Sequence, residues 1–229
     1  YSSERQPAGA AGVARAMTSA IEGSRFDSGL GYSPGQSEAD GWAELDKLDA
    51  SGPEGDARRD ALAEQVRIAN NQFNAHGVEL GYCYDNGALV HDGSTYSENP
   101  RDPVLHYHPT TRPGARLPHA RIERDGVPIS TLDLNDGLAF VLITGRNGAP
   151  WATAARQVEN SLGITISMCA FDGPDGFHDP YGEWAERREV GDSGCVLIRP
   201  DRHIAWRSIM MPDDPASALE SVMRSILDR

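Results

Sequence analysis

Imidazole and guanidinium groups crowd one stretch of the chain, His106–His119 (HYHPTTRPGARLPH), and that is where chemistry is sought first. His106 and His108 stand two apart. On a strand they would point to the same face. Two imidazoles on one face make half of a metal site, which needs at least one more ligand at a suitable spacing. The next candidate, His119, is separated from them by Pro109, Pro113 and Pro118, so hydrogen-bonded or solvated imidazoles are the simpler expectation. Arg112, Arg116 and His119 ride on stiff Pro-Gly backbone. They suit bidentate contacts to carboxylates or carbonyls of a neighbouring domain. They equally suit a surface linker with solvated arginines, and the sequence leaves both readings open.

Other groups are less promising. Asp172, Asp175, Asp179, Glu183 and Glu186 gather around glycine-rich turns but lack the DxDxDG register of a calcium loop, so a solvated acidic loop is expected. Gly29, Gly31 and Gly35 form GxGxxxG, with no apolar strand before it and no clear helix after it. A dinucleotide fingerprint needs both, because the strand-turn-helix unit aims a helix N-terminus at the pyrophosphate. Cys83, Cys169 and Cys195 are odd in number, far apart and form no CxxC. That argues against a disulfide framework or a zinc ribbon. Cys169 and Cys195 sit in apolar runs and read as reduced core thiols. No GxSxG, Ser-His-Asp or Cys-His arrangement stands out. The expectation is no catalytic, cofactor-binding or metal-binding residue within the chain.

Composition narrows the partners. The formal net charge is -13, Lys47 is the one lysine, and arginine supplies the other positive charges. Nucleic acid and anionic membranes would be repelled. No apolar run reaches the ~20 residues of a membrane span. Dispersed free cysteines fit a reducing, cytoplasmic setting. The 229 residues start at Tyr1 and not at a methionine, which reads as processing or truncation.

The elements that would hold these groups follow from hydrophobic period and punctuation. Residues 3–22 read as a helix with Pro7 in its first turn and a narrow stripe of Val13, Ala16, Met17, Ala20 and Ile21. A helix with so narrow a stripe needs a body to pack on. Residues 23–56 read as a flexible acidic loop, with a short helix around Trp42–Leu48. Residues 57–76 read as a helix whose stripe is Leu62, Val66, Ala69 and Phe73, closed by Gly77. Asp85-Asn86-Gly87 between Val78–Tyr84 and Ala88–His91 predicts a hairpin. Residues 106–128 read as an extended Pro/Gly-rich connector.

Beyond residue 129 the pattern changes. Ser130–Leu134 and Leu138–Thr144 read as strands, Pro150–Leu162 as a helix ended by Gly163, and Ile164–Phe171 as a strand. Asp179–Val190 reads as a loop with a helical turn. Cys195–Arg199 and Ile204–Ile209 form a hairpin across Pro200–His203, and a last helix starts at Asp214 and Pro215. A β-α-β unit, a hairpin and a closing helix, with helices on both faces of a mixed sheet, is the order of a thioredoxin-like α/β domain. A working thioredoxin needs a thiolate at the start of its first helix. Gly145–Trp151 (GRNGAPW) holds no cysteine, and Gly191–Gly194 offers no cis-proline before the hairpin. Dithiol exchange is not available there.

Four segments resemble a known family, in the right order. Tyr1–Pro7 (YSSERQP) resembles the segment closing the FAD domain of flavin-dependent aromatic hydroxylases, within the phenol hydroxylase group. His108–His119 resembles their junction between middle and C-terminal domains. Ser130–Leu134 resembles the first strand of their thioredoxin-like domain, and Gly194–Arg207 its final hairpin. The likeness is patchy over residues 1–100 and nearly continuous from about 106 to 229. It implies a flavoprotein that uses FAD, NADPH and O2 to give a phenol an ortho hydroxyl, with the cofactor supplying the hard chemistry. The family's flavin-binding and catalytic motifs lie before the equivalent of Tyr1. The implied division is 1–105, a remnant of the FAD/substrate-binding region; 106–128, the connector; and 129–229, the thioredoxin-like domain. The implied partners are the remainder of the flavoprotein, a phenolic substrate and a second copy in a homo-oligomer. The chain alone is expected to be inactive and colourless, and to self-associate through the stripe in residues 1–22. The alternative is a redox-inactive thioredoxin-like interaction or dimerisation module without catalysis.

Overall fold

A computed structural model of the chain describes residues 2–96, 100–173 and 176–228, so Tyr1 of the YSSERQP segment and Asp175 of the acidic loop lie outside the described residues. The chain divides into two compact units. One, here the helical unit, comprises residues 9–79 and 101–107; the other, the sheet unit, comprises residues 1–8, 80–100 and 108–229.

Helix α1 spans Ser2–Ser24 and belongs by its first turns to the sheet unit and by the rest to the helical unit. The helix begins at Ser2, so Pro7 is its sixth residue and lies inside it and not in its first turn as expected. Two short helices, α2 (Phe26–Gly29) and α3 (Glu38–Asp46), interrupt the region read mainly as loop, and α3 overlaps the short helix expected around Trp42–Leu48. Ser37 starts α3 by accepting a hydrogen bond from the Asp40 N–H, an N-cap inside an otherwise polar run. Helix α4 runs Pro53–Phe73, with Pro53 at its start, where the missing N–H costs nothing. The stripe of α1 is not covered, with Val13, Met17 and Ile21 63%, 65% and 56% exposed, while on α4 Val66 and Phe73 are exposed and Leu62 and Ala69 half-buried.

The hairpin expected over 78–91 does not form. His76–Leu80 is a short helix, α5, and the turn at Asp85–Ala88 is not flanked by paired strands. Instead Cys83 bridges to Ala115, and the Val90 N–H donates to the Ala205 carbonyl. The Asn-Gly turn is present in the sequence, but its neighbours find longer-range partners.

The sheet unit holds two sheets. Strands β1 (Arg121–Arg124) and β2 (Val127–Ser130) form an antiparallel hairpin, joined on the other edge of β1 by β5 (Phe177–His178). This hairpin occupies the end of the expected connector. The strand expected at 130–134 is instead a 3-10 helix at Thr131–Leu134, because the Ser130 hydroxyl and the Asp133 carboxylate form a capping box. The larger sheet has the order β4-β3-β6-β7, with β3 (Phe140–Thr144) parallel to β4 (Ile166–Ala170). Strands β6 (Cys195–Ile198) and β7 (Ile204–Ser208) are antiparallel. Helix α6 (Ala149–Leu162) links β3 to β4 and ends at Gly163 in the left-handed conformation. A five-residue helix α7 (Glu183–Arg187) precedes β6, and α8 (Pro215–Leu227) follows β7.

Period two along the central strands makes two cores. Leu142, Cys195, Leu197 and Ala205 face α6 and α8, through Trp151, Val158, Leu219 and Met223. Val141, Ile143, Val196, Ile198 and Ile204 face the other way, onto Leu117, Ile122, Phe171 and Trp184. Both long helices therefore share one face. The second face is covered mainly by the small sheet, with the short α7 as its helix, where the sequence suggested helices on both faces.

Candidate functional site

The charged side chains that the fold buries most deeply lie at the two ends of the β6–β7 hairpin. All four residues of β6 are fully buried, so the hairpin is held inside the unit and the arginines flanking it go in with it. Buried guanidinium groups need partners, and each has found a set of them.

Arg199, just past β6, donates from Nη1 to Glu4 Oε2 (2.7 Å) and from Nη2 to Glu4 Oε1 (2.9 Å). It also donates to Asp201, from Nε at 3.1 Å and Nη2 at 2.8 Å. Arg5 closes the array on Asp201 at 2.6 Å. Glu4 accepts a further bond from the Ala88 N–H (3.0 Å). The place of Gly87 beside it is fixed sterically: its φ is +109°, and a Cβ there would lie 2.2 Å from Glu4 Oε2. The hydrogen bonds from Arg199 hold the Glu4 carboxyl below its usual range against the opposing effect of burial. Burial would raise Asp201, but the hydrogen bond from His203 and the charge of Arg199 outweigh it, so Asp201 too is held well below the usual range. The His203 ring lies 4.5 Å from that of Tyr84, and burial pushes the Tyr84 hydroxyl up to about 12.

Arg207, on β7, is enclosed between two carboxylates. Its Nε donates to Asp92 (2.6 Å), and its Nη1 donates to Glu189 (2.5 Å) and to the Thr111 hydroxyl (3.0 Å). Asp92 also accepts from the hydroxyls of Ser94 (2.7 Å) and Tyr96 (2.8 Å). Burial would raise Asp92, but these donors and Arg207 prevail and leave its pKa at about 2. Glu189 further accepts from the Thr111 N–H and the Thr110 hydroxyl.

These clusters hold chain segments together and are poorly suited to moving protons. Each buried carboxylate is committed to a guanidinium and kept ionised, which is the opposite of a general base poised near neutrality. The sequence reading missed them. Arg199 and Arg207 bound the hairpin inside otherwise apolar runs, and an arginine at each end of a buried strand pair was the available signal.

The residues singled out from sequence are placed as follows. Arg112 donates to Cys83 Sγ (3.1 Å) and stacks over the Tyr96 ring at 5.1 Å. Burial raises the Cys83 thiol, and the charge of Arg112 opposes this. Arg116 is half-buried and bridges by its backbone to His203. His119 is exposed, its Nδ1 lying 2.8 Å from the Ser130 hydroxyl, and its carbonyl accepts from Arg187. The three do not converge on one point within the sheet unit. Among the described residues no three His, Cys, Asp or Glu side chains gather as metal ligands, and no helix is long and apolar enough to cross a membrane. Asp179 caps α7 through the Ala185 N–H, and Glu183 pairs with Arg121 (2.7 Å), so part of the acidic loop is structural.

The turn before α6 is tightly packed. Gly148 begins the helix so tightly that a Cβ would fall 1.7 Å from Thr144 Oγ1, and Trp151 donates from its indole to the Ser193 carbonyl (2.9 Å). Cys195 is fully buried and its thiol is pushed up by desolvation. The described residues contain no cis peptide bond.

Gly29 and Gly31 do not fit a flavin pyrophosphate. A Cβ on Gly29 would meet the Gln65 side chain at 2.7 Å, and one on Gly31 would meet the Glu44 carboxylate at 2.8 Å. These glycines let α2 lie close to its neighbours, and an anion would meet a carboxylate there.

Fold and site together define an α/β domain: a mixed sheet whose strand ends are braced by buried ion pairs. A family model described as "Aromatic-ring hydroxylase, C-terminal" matches residues 110–229. The chain belongs to that family. It is 36% identical over 223 residues to a phenol 2-monooxygenase of Pseudomonas sp. (strain EST1001), covering 97% of this chain and 37% of that protein. It is 37% identical over 231 residues to a 2,4-dichlorophenol 6-monooxygenase of Cupriavidus pinatubonensis (strain JMP 134 / LMG 1197), covering 100% of this chain and 38% of that protein. The crystal structure of the flavin-dependent monooxygenase PieE in complex with FAD and substrate matches with a TM-score of 0.91 and 44% identity, over 98% of this chain and 38% of that one. The chain thus spans less than two-fifths of the length of each of these relatives.

Proposed function

We propose that the chain serves as the C-terminal part of a cytoplasmic flavoprotein monooxygenase that hydroxylates a phenol ortho to its hydroxyl group. The balanced reaction is phenol plus O2, NADPH and a proton giving catechol, water and NADP+. One observation carries this reading: the likeness to two phenol-hydroxylating enzymes extends over nearly the whole chain, the helical unit included. FAD, when bound, supplies the activation of oxygen. In this reading the part that binds it precedes the equivalent of Tyr1, since the glycine cluster present here does not suit it.

The residues of this chain act by holding and excluding. The Arg199 and Arg207 clusters fix the hairpin, and the sheet order β4-β3-β6-β7 around α6 is read as a thioredoxin-like domain without thiols at its helix start. His119, Arg116 and Arg112 remain the proposed contacts to the flavin-bearing part, and the assembly is read as a homo-oligomer. The division at 106 and 129 belongs to the same reading.

The test uses the full-length protein purified with its flavin. Phenol-stimulated NADPH oxidation should yield a catechol carrying one oxygen atom from labelled dioxygen. Absence of stimulation across a panel of phenols and chlorophenols would overturn the reading. The 229-residue chain alone should show no flavin absorbance and no activity; a stoichiometric flavin on it would contradict the proposed division of labour.

A further inference from the structure

We propose that the first turns of α1 act as a releasable strap, buckled to the β6–β7 turn by the Glu4 carboxylate and joined to the rest of the helix by a compliant Pro7–Gly12 segment. The buckle is specific. Glu4 is 7% exposed, and its two oxygens take both terminal nitrogens of Arg199 and the Ala88 N–H. The other charged groups facing it are Arg5 from α1 itself (3.7 Å) and Asp201 beyond Arg199. His203 faces Asp201 from the far side of the turn. Ser2, Ser3, Gln6 and Pro7 are exposed, so the strap is held by the Glu4 carboxylate together with Arg5, which donates to Asp201 at 2.6 Å.

The compliant segment is independent of the buckle. Pro7 lies inside the helix and cannot donate the backbone bond expected of its position. Gly9 and Gly12 have no heavy atom within 4 Å of where a Cβ would lie, so close packing does not call for glycine at either place. Both are weaker helix formers than alanine. The boundary between the two compact units falls at the same place, between Ala8 and Gly9. A helix anchored at its first turn and weakened in its second and third opens there first. Loss of the Glu4 charge, by substitution or by acid, is the release.

The Ala88 amide, which donates to Glu4, reports on the buckle directly. Hydrogen exchange on the intact chain is the measurement. Glu4→Gln and Glu4→Ala should each speed exchange at Ala88 and at residues 6–9 by at least about tenfold while Val196 and Leu197 keep their protection. The Gly9→Ala/Gly12→Ala variant should slow exchange at residues 9–12 by several-fold and leave Ala88 unchanged. Lowering the pH of the parent protein through the acid range should reproduce the Glu4→Gln pattern. The proposal is overturned if Ala88 and Val196 accelerate by the same factor, if Ala88 does not respond, or if residues 9–12 of the parent already exchange as slowly as the middle of α6.

Discussion

Arg207 and Asp92 are 5% and 4% exposed, so neither charge can turn to water if the other is lost. Replacing Arg207 by methionine should destabilise the chain by roughly 3–5 kcal/mol, since it strands a buried carboxylate. Adding Asp92→Asn to that variant should recover much of the loss, and a double-mutant cycle in urea checks both. The same pair sets a pH dependence. With a folded-state value of about 2, Asp92 contributes stability that is fully present above its unfolded value. That unfolded value is near ~3.9, and the contribution fades as pH falls from there towards the folded value. Glu4 and Asp201, also held low, act with the same sign. Urea midpoints should therefore fall steeply on acidification below that point, and Asp92→Asn should flatten part of the slope. An unchanged slope in that variant would mean that the Arg207 cluster does not govern it.

Among the elements, the start of α6 tolerates little change. A methyl group at Gly148 collides with Thr144, whose hydroxyl donates to the Gly194 carbonyl (2.7 Å) and cannot move freely. Gly148→Ala should cost about 1–3 kcal/mol as an overpacked site, read from the shift in urea midpoint at constant slope. Elements of this kind differ in how far the sequence discloses them. Helices α4, α6 and α8 were legible from stripe and punctuation, and the β6–β7 hairpin from two apolar runs around Pro200–His203. The Asn86-Gly87 turn misled because Cys83 and Val90 pair with residues far along the chain, at Ala115 and Ala205. Ser130–Leu134 looked like a strand because alternation over so few residues cannot be told from a capped 3-10 turn. The Glu4–Arg199 and Arg207–Asp92 partnerships were not legible, because nothing local marks which acid among many a distant arginine will choose.

At the scale of the whole molecule, the apolar residues left exposed matter most. Val13, Met17 and Ile21 recur at helical spacing on α1, each more than half exposed. Contiguous apolar surface of that kind favours association. The chain alone should self-associate in light scattering, and a Val13→Ser/Met17→Ser variant should shift it towards monomer. A monomeric parent with α1 intact by hydrogen exchange would refute this. The relatives extend well beyond the region they share with this chain.

The bond between Glu4 and Arg199 closes a loop of 195 residues. A chain leaving the ribosome at ~5–20 residues per second makes Glu4 wait roughly 10–40 s for the arginine that will receive it. Until then the opening helix has neither its clasp nor the sheet beneath it. These turns are thus made well before the strand end that secures them, and a nascent protein stalled short of β6 would leave them unclaimed.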